Sequence, residues 1–437
     1  MKKIAAIVTC LLLSVCVFLT GCSKLENPDT LNVSSNGGSV VKIGNYLYFA
    51  NTLVDYSTLT DGDNETDKTG LDSIHRVKLE DEEVSFNDKG VSQNNEKVMG
   101  KIAGFEYSNM FVSGEYIFFT TPNIHKNDKS ENRFDLVSLF KVKVNGKGLK
   151  EILTTNDASS SFHYAKIDGK DYLLVRDGSN LFKVEMFGRN TKTTLVDNLT
   201  NIAFDKNESF STLYYTTARE DSLSGNVLNK VNIENGTKTP ISSEINETYT
   251  LLEARNGTVY YTKTQTDLDA YYYYNDFSDG GEKVLIYATS ISNLKTLTET
   301  IGGDKLVTYI FQDNLYIDNL STVGNDVVLE SNNANGKAKE ILLVDAEYVY
   351  FTTENGIFRI EYKNSTVQKI SSSTTLKTTS CDKVDNYFYY YDKVNESEDF
   401  YLHRAYLSGN DNIRVQVVSA LAEEITNDLE ETLEKRA

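Results

Sequence analysis

The chain has 437 residues, of which 40% are hydrophobic and 24% charged, with a formal net charge of -19. That length fits one large all-β domain or two ordinary domains. Acidity of this size argues against nucleic acid as a partner and against a body lying flat on anionic lipid. Tyr 28 and Phe 20 beside Trp 0 and Pro 3 favour strands whose ladders proline does not interrupt.

Met1-Lys2-Lys3 is a short basic region, Ile4 to Phe18 an apolar run, and Leu19-Thr20-Gly21-Cys22 follows directly. This series resembles a bacterial lipoprotein signal peptide (residues 1–21) with its lipobox. The resemblance implies cleavage before Cys22, lipidation of Cys22 with acyl chains such as palmitate, and anchorage to the cell membrane on its extracytoplasmic side. The alternative is an ordinary secretory signal with an incidental Cys22. The apolar run is short for a transmembrane anchor, whereas two or three acyl chains hold a protein to a bilayer stably. Removal of the signal takes away Lys2 and Lys3 and moves the formal charge from -19 to -21. Cys10 and Cys16 leave with it, so Cys381 is the remaining free thiol and reads as a small packed side chain. Residues 22–39, rich in Asn, Ser and Gly, read as a lipidated flexible tether.

From Val40 the chain repeats one phrase. A Gly/Asn/Asp turn leads into an aromatic alternating run, a second turn, and a shorter answering run. The first runs begin at Tyr46, Tyr116, Asp171, Leu213, Val259, Leu315, Tyr348 and Tyr387. Answering runs include Ile74–Leu79, Leu139–Val144, Leu181–Val184, Val227–Val231, Val284–Ala288, Ile357–Ile360 and Phe400–Ala405. The cleanest copy, Ala346 to Ser371, carries a third run, Val367–Ile370. Runs of this kind form antiparallel meanders, and one meander cannot bury its faces alone. The starts are spaced irregularly, from 33 to 70 residues apart, and average about 49, close to the size of a four-stranded blade. Residues 40–418 are therefore expected to form an all-β propeller of seven or eight four-stranded blades. Closure removes exposed sheet edges. A β-solenoid and a pair of β-sandwiches are the alternatives. Residues 419–437 place Leu421, Ile425, Leu429 and Leu433 at a four-residue interval, which predicts a short acidic C-terminal amphipathic helix.

The phrase resembles a family of bacterial extracellular lipoproteins with Tyr/Phe-rich β-propeller-like repeats of unassigned function, over about Val40 to Leu407. The resemblance implies the fold and the cell-surface address and brings no catalytic residues. The Asp-Gly turn of that pattern is only partly kept, approached at Asn145-Gly146 and Asn235-Gly236 and lost at Lys363-Asn364.

Chemistry-bearing motifs are sparse. No Gly-x-Ser-x-Gly elbow, Walker-type loop or His-Glu-x-x-His pair occurs. His75, His125, His163 and His403 are read as structural or rim residues. Asp61, Asp63, Glu65 and Asp67, with Asp72 beyond, alternate carboxylates as a calcium loop does, but lack the glycine and the final glutamate of an EF-hand. Calcium is the candidate ion there, and a solvated loop the alternative; no other cofactor is indicated. Asp267 to Gly281 reads as an insertion between Tyr261 and Val284. Its Tyr271, Tyr272, Tyr273, Tyr274 and Phe277 could stack on a sugar or dock a protein, or else pack internally as strand. Pro122 to Leu136 reads as a second insertion. The expected function is a surface lipoprotein whose propeller binds or scaffolds a protein or glycan. The alternative is an extracellular carbohydrate-active enzyme with paired acids at the axis.

Overall fold

The computed structural model describes residues 25–53, 73–99, 110–123, 133–155, 161–187, 191–205, 211–220, 223–265, 271–277, 281–286, 291–296, 306–320, 327–394, 399–407 and 416–421. These form eight antiparallel sheets in chain order, an eight-bladed β-propeller. Blade 7 shows how the repeated phrase folds. Glu340–Val344, Tyr348–Thr353, Gly356–Glu361 and Val367–Ser371 pair in succession, with Phe351 opposite Phe358. Side chains of the second strand alternate between faces. Val349 through Thr353 are nevertheless all buried, because a neighbouring blade covers each face.

Among the described residues, eight apolar clusters lie one between each pair of consecutive blades, including the pair formed by blades 8 and 1. Between blades 7 and 8, Tyr350 stacks on Phe388 at 5.3 Å and 12°. Tyrosine hydroxyls in these layers find partners, as at Tyr48, which donates to the Val144 carbonyl of blade 2 at 2.8 Å. The body is thus stabilised by inter-blade packing, and Cys381 is a free thiol in this framework.

Closure uses both chain ends. The third strand of blade 8, Phe400–Tyr406, takes Thr52–Leu53 of the first repeat at Tyr401 and Phe400, and Gln416–Val417 at His403 and Arg404. Asn51 clasps Ala420 in both directions, Oδ1 accepting from its amide at 2.7 Å and Nδ2 donating to its carbonyl at 3.0 Å. Residues 419–421 therefore lie against the closure seam and are not helical; the remainder of the expected helix, 422–437, lies outside the described residues.

Seven of the eight anticipated first runs fall on second strands. The exception is Leu315–Ile317, which belongs to the third strand of blade 6, Asn314–Asn319; the second is Leu306–Phe311. The turn at Gln312-Asp313 joins these two strands instead of preceding the blade's central pair. Of the expected tether, residues 22–24 lie outside the described residues, and 25–39 are packed on blades 1, 2 and 8, with Asn36 exchanging hydrogen bonds with Val112 at 2.7 and 2.9 Å and Ser39 donating to Asp382.

Candidate axial binding site

The first strand of each blade lies toward the propeller axis, where inner strands of successive blades run side by side. Asp205, just after the first strand of blade 4 (Leu199–Phe204), makes a parallel bridge with Ala254 in that of blade 5 (Glu247–Arg255). A cavity of about 730 Å³ opens among these strands. Its walls come from Phe111 of blade 2, Ser161, His163 and Tyr164 of blade 3, Ile202 and Phe204 of blade 4, and Leu252 and Glu253 of blade 5. Arg176, from the second strand of blade 3, and Asn36-Gly37, ahead of blade 1, complete the lining.

The apolar wall is ordered by ring contacts. His163 stacks on Phe204 at 3.6 Å between centroids, and Phe111 stacks on Tyr164 at 6.3 Å and 25°. The Tyr164 hydroxyl donates to Asp171, which also accepts from Ser113 Oγ at 2.6 Å. Burial, followed by the Asp171 hydrogen bond, pushes the Tyr164 phenol up, so it stays protonated at neutral pH.

Charge enters at two points. Arg176 donates from Nε to the Gly178 carbonyl at 3.2 Å and reaches the Thr200 carbonyl at 3.5 Å. These carbonyls fix the guanidinium without neutralising it. Glu253, buried at 5%, accepts from the Thr296 amide at 2.7 Å. Burial lowers the pKa of nearby Arg255, with Glu253 and Asp205 acting against that shift. Glu253 is the single carboxylate among the described lining residues, and no described group of three metal-ligating side chains converges anywhere.

The sequence-derived site residues fall elsewhere. Tyr271–Asn275 is the third strand of blade 5, not an insertion: Tyr273 pairs with Tyr261 and with Val284 of the fourth strand, Glu282–Ile286. Tyr272 and Tyr274 are 7% and 8% exposed, and Tyr273 is half-buried against Tyr261. The Tyr271 side chain lies outside the described residues. Phe277 is 40% exposed in the turn after this strand, parallel to Tyr214 at 5.9 Å and beneath Lys230. Tyr272, Tyr273 and Tyr274 are thus packed strand residues, and among the described side chains of the group Phe277 is the exposed ring. Part of Pro122 to Leu136 is likewise strand, in Tyr116–Asn123 and Arg133–Lys143 of blade 2. Asp61, Asp63, Glu65, Asp67, Asp72 and His125 lie outside the described residues. His75 and His403 are buried in strands, whereas His163 lines the axis. Arg176, Phe204 and Glu253 carried no local signal, because only ring formation brings their strands together.

No family model matches the chain, and no curated protein matches it. Solved structures do. A puromycin-hydrolysing peptidase of Mycobacterium tuberculosis is 10% identical, with 85% of this chain and 60% of that one covered at a TM-score of 0.45. An oligogalacturonate lyase in complex with manganese is 11% identical, covering 73% and 97%, at 0.44. The β-propeller domain of the Trilobed protease of Pyrococcus furiosus, described as an open velcro topology, is 10% identical, covering 70% and 97%, at 0.42. The chain spans 48% of a prolyl endopeptidase and 60% of the puromycin-hydrolysing peptidase. These likenesses concern the fold.

Proposed function

We propose that the chain is a lipid-anchored, extracytoplasmic binding protein that takes a segment of a surface protein or a glycan into the axial cavity. The cavity itself carries this reading. It is about 730 Å³, within the range of ligand sites, and combines stacked rings with a few fixed polar groups. The His163–Phe204 pair offers a flat surface for a ring or peptide plane, and Arg176 offers donors to a carboxylate or hydroxyl. Lipid anchorage rests on the Lys2-Lys3, apolar and Leu19–Cys22 series. The paired-acid enzyme reading gains no support from the described lining, where Glu253 is the one carboxylate.

A glycan and peptide array probed with residues 23–437 tests this. Ligands retained by the natural sequence should lose about tenfold in affinity, about 1.4 kcal/mol, in Arg176→Ala or His163→Ala, with circular dichroism unchanged. Binding unaffected by both substitutions would reject the axial site.

A further inference from the structure

The acyl anchor and the propeller are joined by very little free chain. Leu25 already packs against the core between blades 1 and 2. The Glu26 carbonyl accepts from Arg76 Nη1 at 2.7 Å. That guanidinium is fully buried, sits 4.0 Å from the Tyr46 ring centroid, and holds Glu96 at 2.7 Å. Asn27 accepts from Asn145 Nδ2 at 2.9 Å, and Asp29 and Asn45 exchange bonds at 3.0 and 3.1 Å. The approach is close: a Cβ on Gly146 would fall 2.5 Å from the Val98 carbonyl oxygen and 3.2 Å from Leu25 Cδ1.

These contacts identify one face. In a four-stranded meander, the turns between strands 1 and 2 and between strands 3 and 4 lie on the same side. Asn45 lies in the first kind of turn in blade 1, and Asn145-Gly146 in the second kind in blade 2. From Cys22 to Leu25 the chain reaches at most about 11 Å. A free tether over residues 22–39 would instead average about 20–25 Å between its ends and let the body turn over.

We infer that, in the lipidated protein, the face of blades 1 and 2 bearing Asn45 and Asn145-Gly146 is held against the bilayer, and the opposite face is turned to the medium. The inference rests on the lipidation of Cys22 proposed above. The partner is the lipid surface of the anchoring membrane. The body is acidic and would not seek anionic lipid unaided, so the short anchor imposes the orientation.

The test uses the full lipidated chain in vesicles of phosphatidylethanolamine and phosphatidylglycerol carrying a headgroup nitroxide. In a Cys381→Ser background, a fluorophore is placed at Lys147→Cys, beside the docked strap, or at Ser224→Cys, between the second and third strands of blade 4 on the opposite face; both positions are exposed. The Lys147 label should be quenched several-fold more than the Ser224 label. Equal quenching, or the reverse order, would overturn the orientation. A Gly/Ser spacer of about twelve residues after Ser23 should abolish the difference; its persistence would mean that the face adsorbs by itself and would overturn the anchor-based account. Vesicle flotation of the natural protein and Cys22→Ala reads lipidation separately. Equal flotation of the two would overturn both the anchor and the orientation.

Discussion

Ser39 Oγ donates to Asp382 Oδ2 at 2.6 Å, and the Val40 amide donates to the same oxygen at 3.0 Å. One carboxylate on the inner strand of blade 8 thus holds the start of blade 1 across 343 residues. Burial raises the Asp382 pKa, while the Ser39 and Val40 bonds oppose that rise. Asp382→Ala would leave both donors unpaired at the seam, a loss of about 2–3 kcal/mol. Asp382→Asn keeps an acceptor and should lose less. Urea titration of the two variants checks the order; equal losses would show that the seam depends little on these bonds.

His75 supplies a pH dependence. Burial lowers its pKa to about 4, against the Asn95 hydrogen bond, which raises it. The unfolded state, with an ordinary value near 6.5, binds the proton first as pH falls. Its contribution is therefore whole above about pH 6.5 and is lost as pH falls toward 4, about 3 kcal/mol in all. Thermal unfolding of the natural chain and His75→Gln across this window should show a shallower slope in the variant. Identical slopes would place the acid sensitivity elsewhere.

Two turn glycines separate conformation from space. Gly356 sits at φ 128°, and a Cβ there would lie 2.1 Å from the Ser371 carbonyl oxygen. Gly257 sits at φ 76° with nothing within 4 Å of such a Cβ. Gly257→Ala should cost about 1 kcal/mol, from backbone strain alone. Gly356→Ala should cost about 3 kcal/mol, because the backbone of blade 7 must move. Chemical denaturation distinguishes them, and equal costs would contradict the close approach.

The tyrosine stretch makes a further contrast. Tyr274 packs on Tyr260 at 6.1 Å and is almost fully buried, whereas Phe277 is 40% exposed. Tyr274→Ala should cost about 3 kcal/mol, and Phe277→Ala under about 1 kcal/mol. Similar melting temperatures for the two variants would contradict this division between packing and surface.

The blades were legible in the sequence because their central strands are buried on both faces and must be apolar throughout, as at Val349–Phe351. Short Gly, Asn and Asp turns then set the spacing. Blade 6 departs from that spacing because Gln312-Asp313 joins its second and third strands. Tyr271–Asn275 reads as an insertion in sequence because Tyr and Asn among aspartates look like a loop, yet Tyr261 pairs with Tyr273 across the ladder. The axial site was hidden for another reason. Phe111, His163, Phe204 and Glu253 lie on four separate strands, each unremarkable alone. Their meeting depends on closure, which periodicity announces without saying which inner residues face one another.

Hydrogen exchange on the protein with and without its strongest array ligand tests the axial site most directly. Binding there should slow exchange in the inner strands around 161–164, 202–204 and 252–254, leaving 271–277 unchanged. Protection confined to 271–277, with the inner strands unaffected, would contradict axial binding.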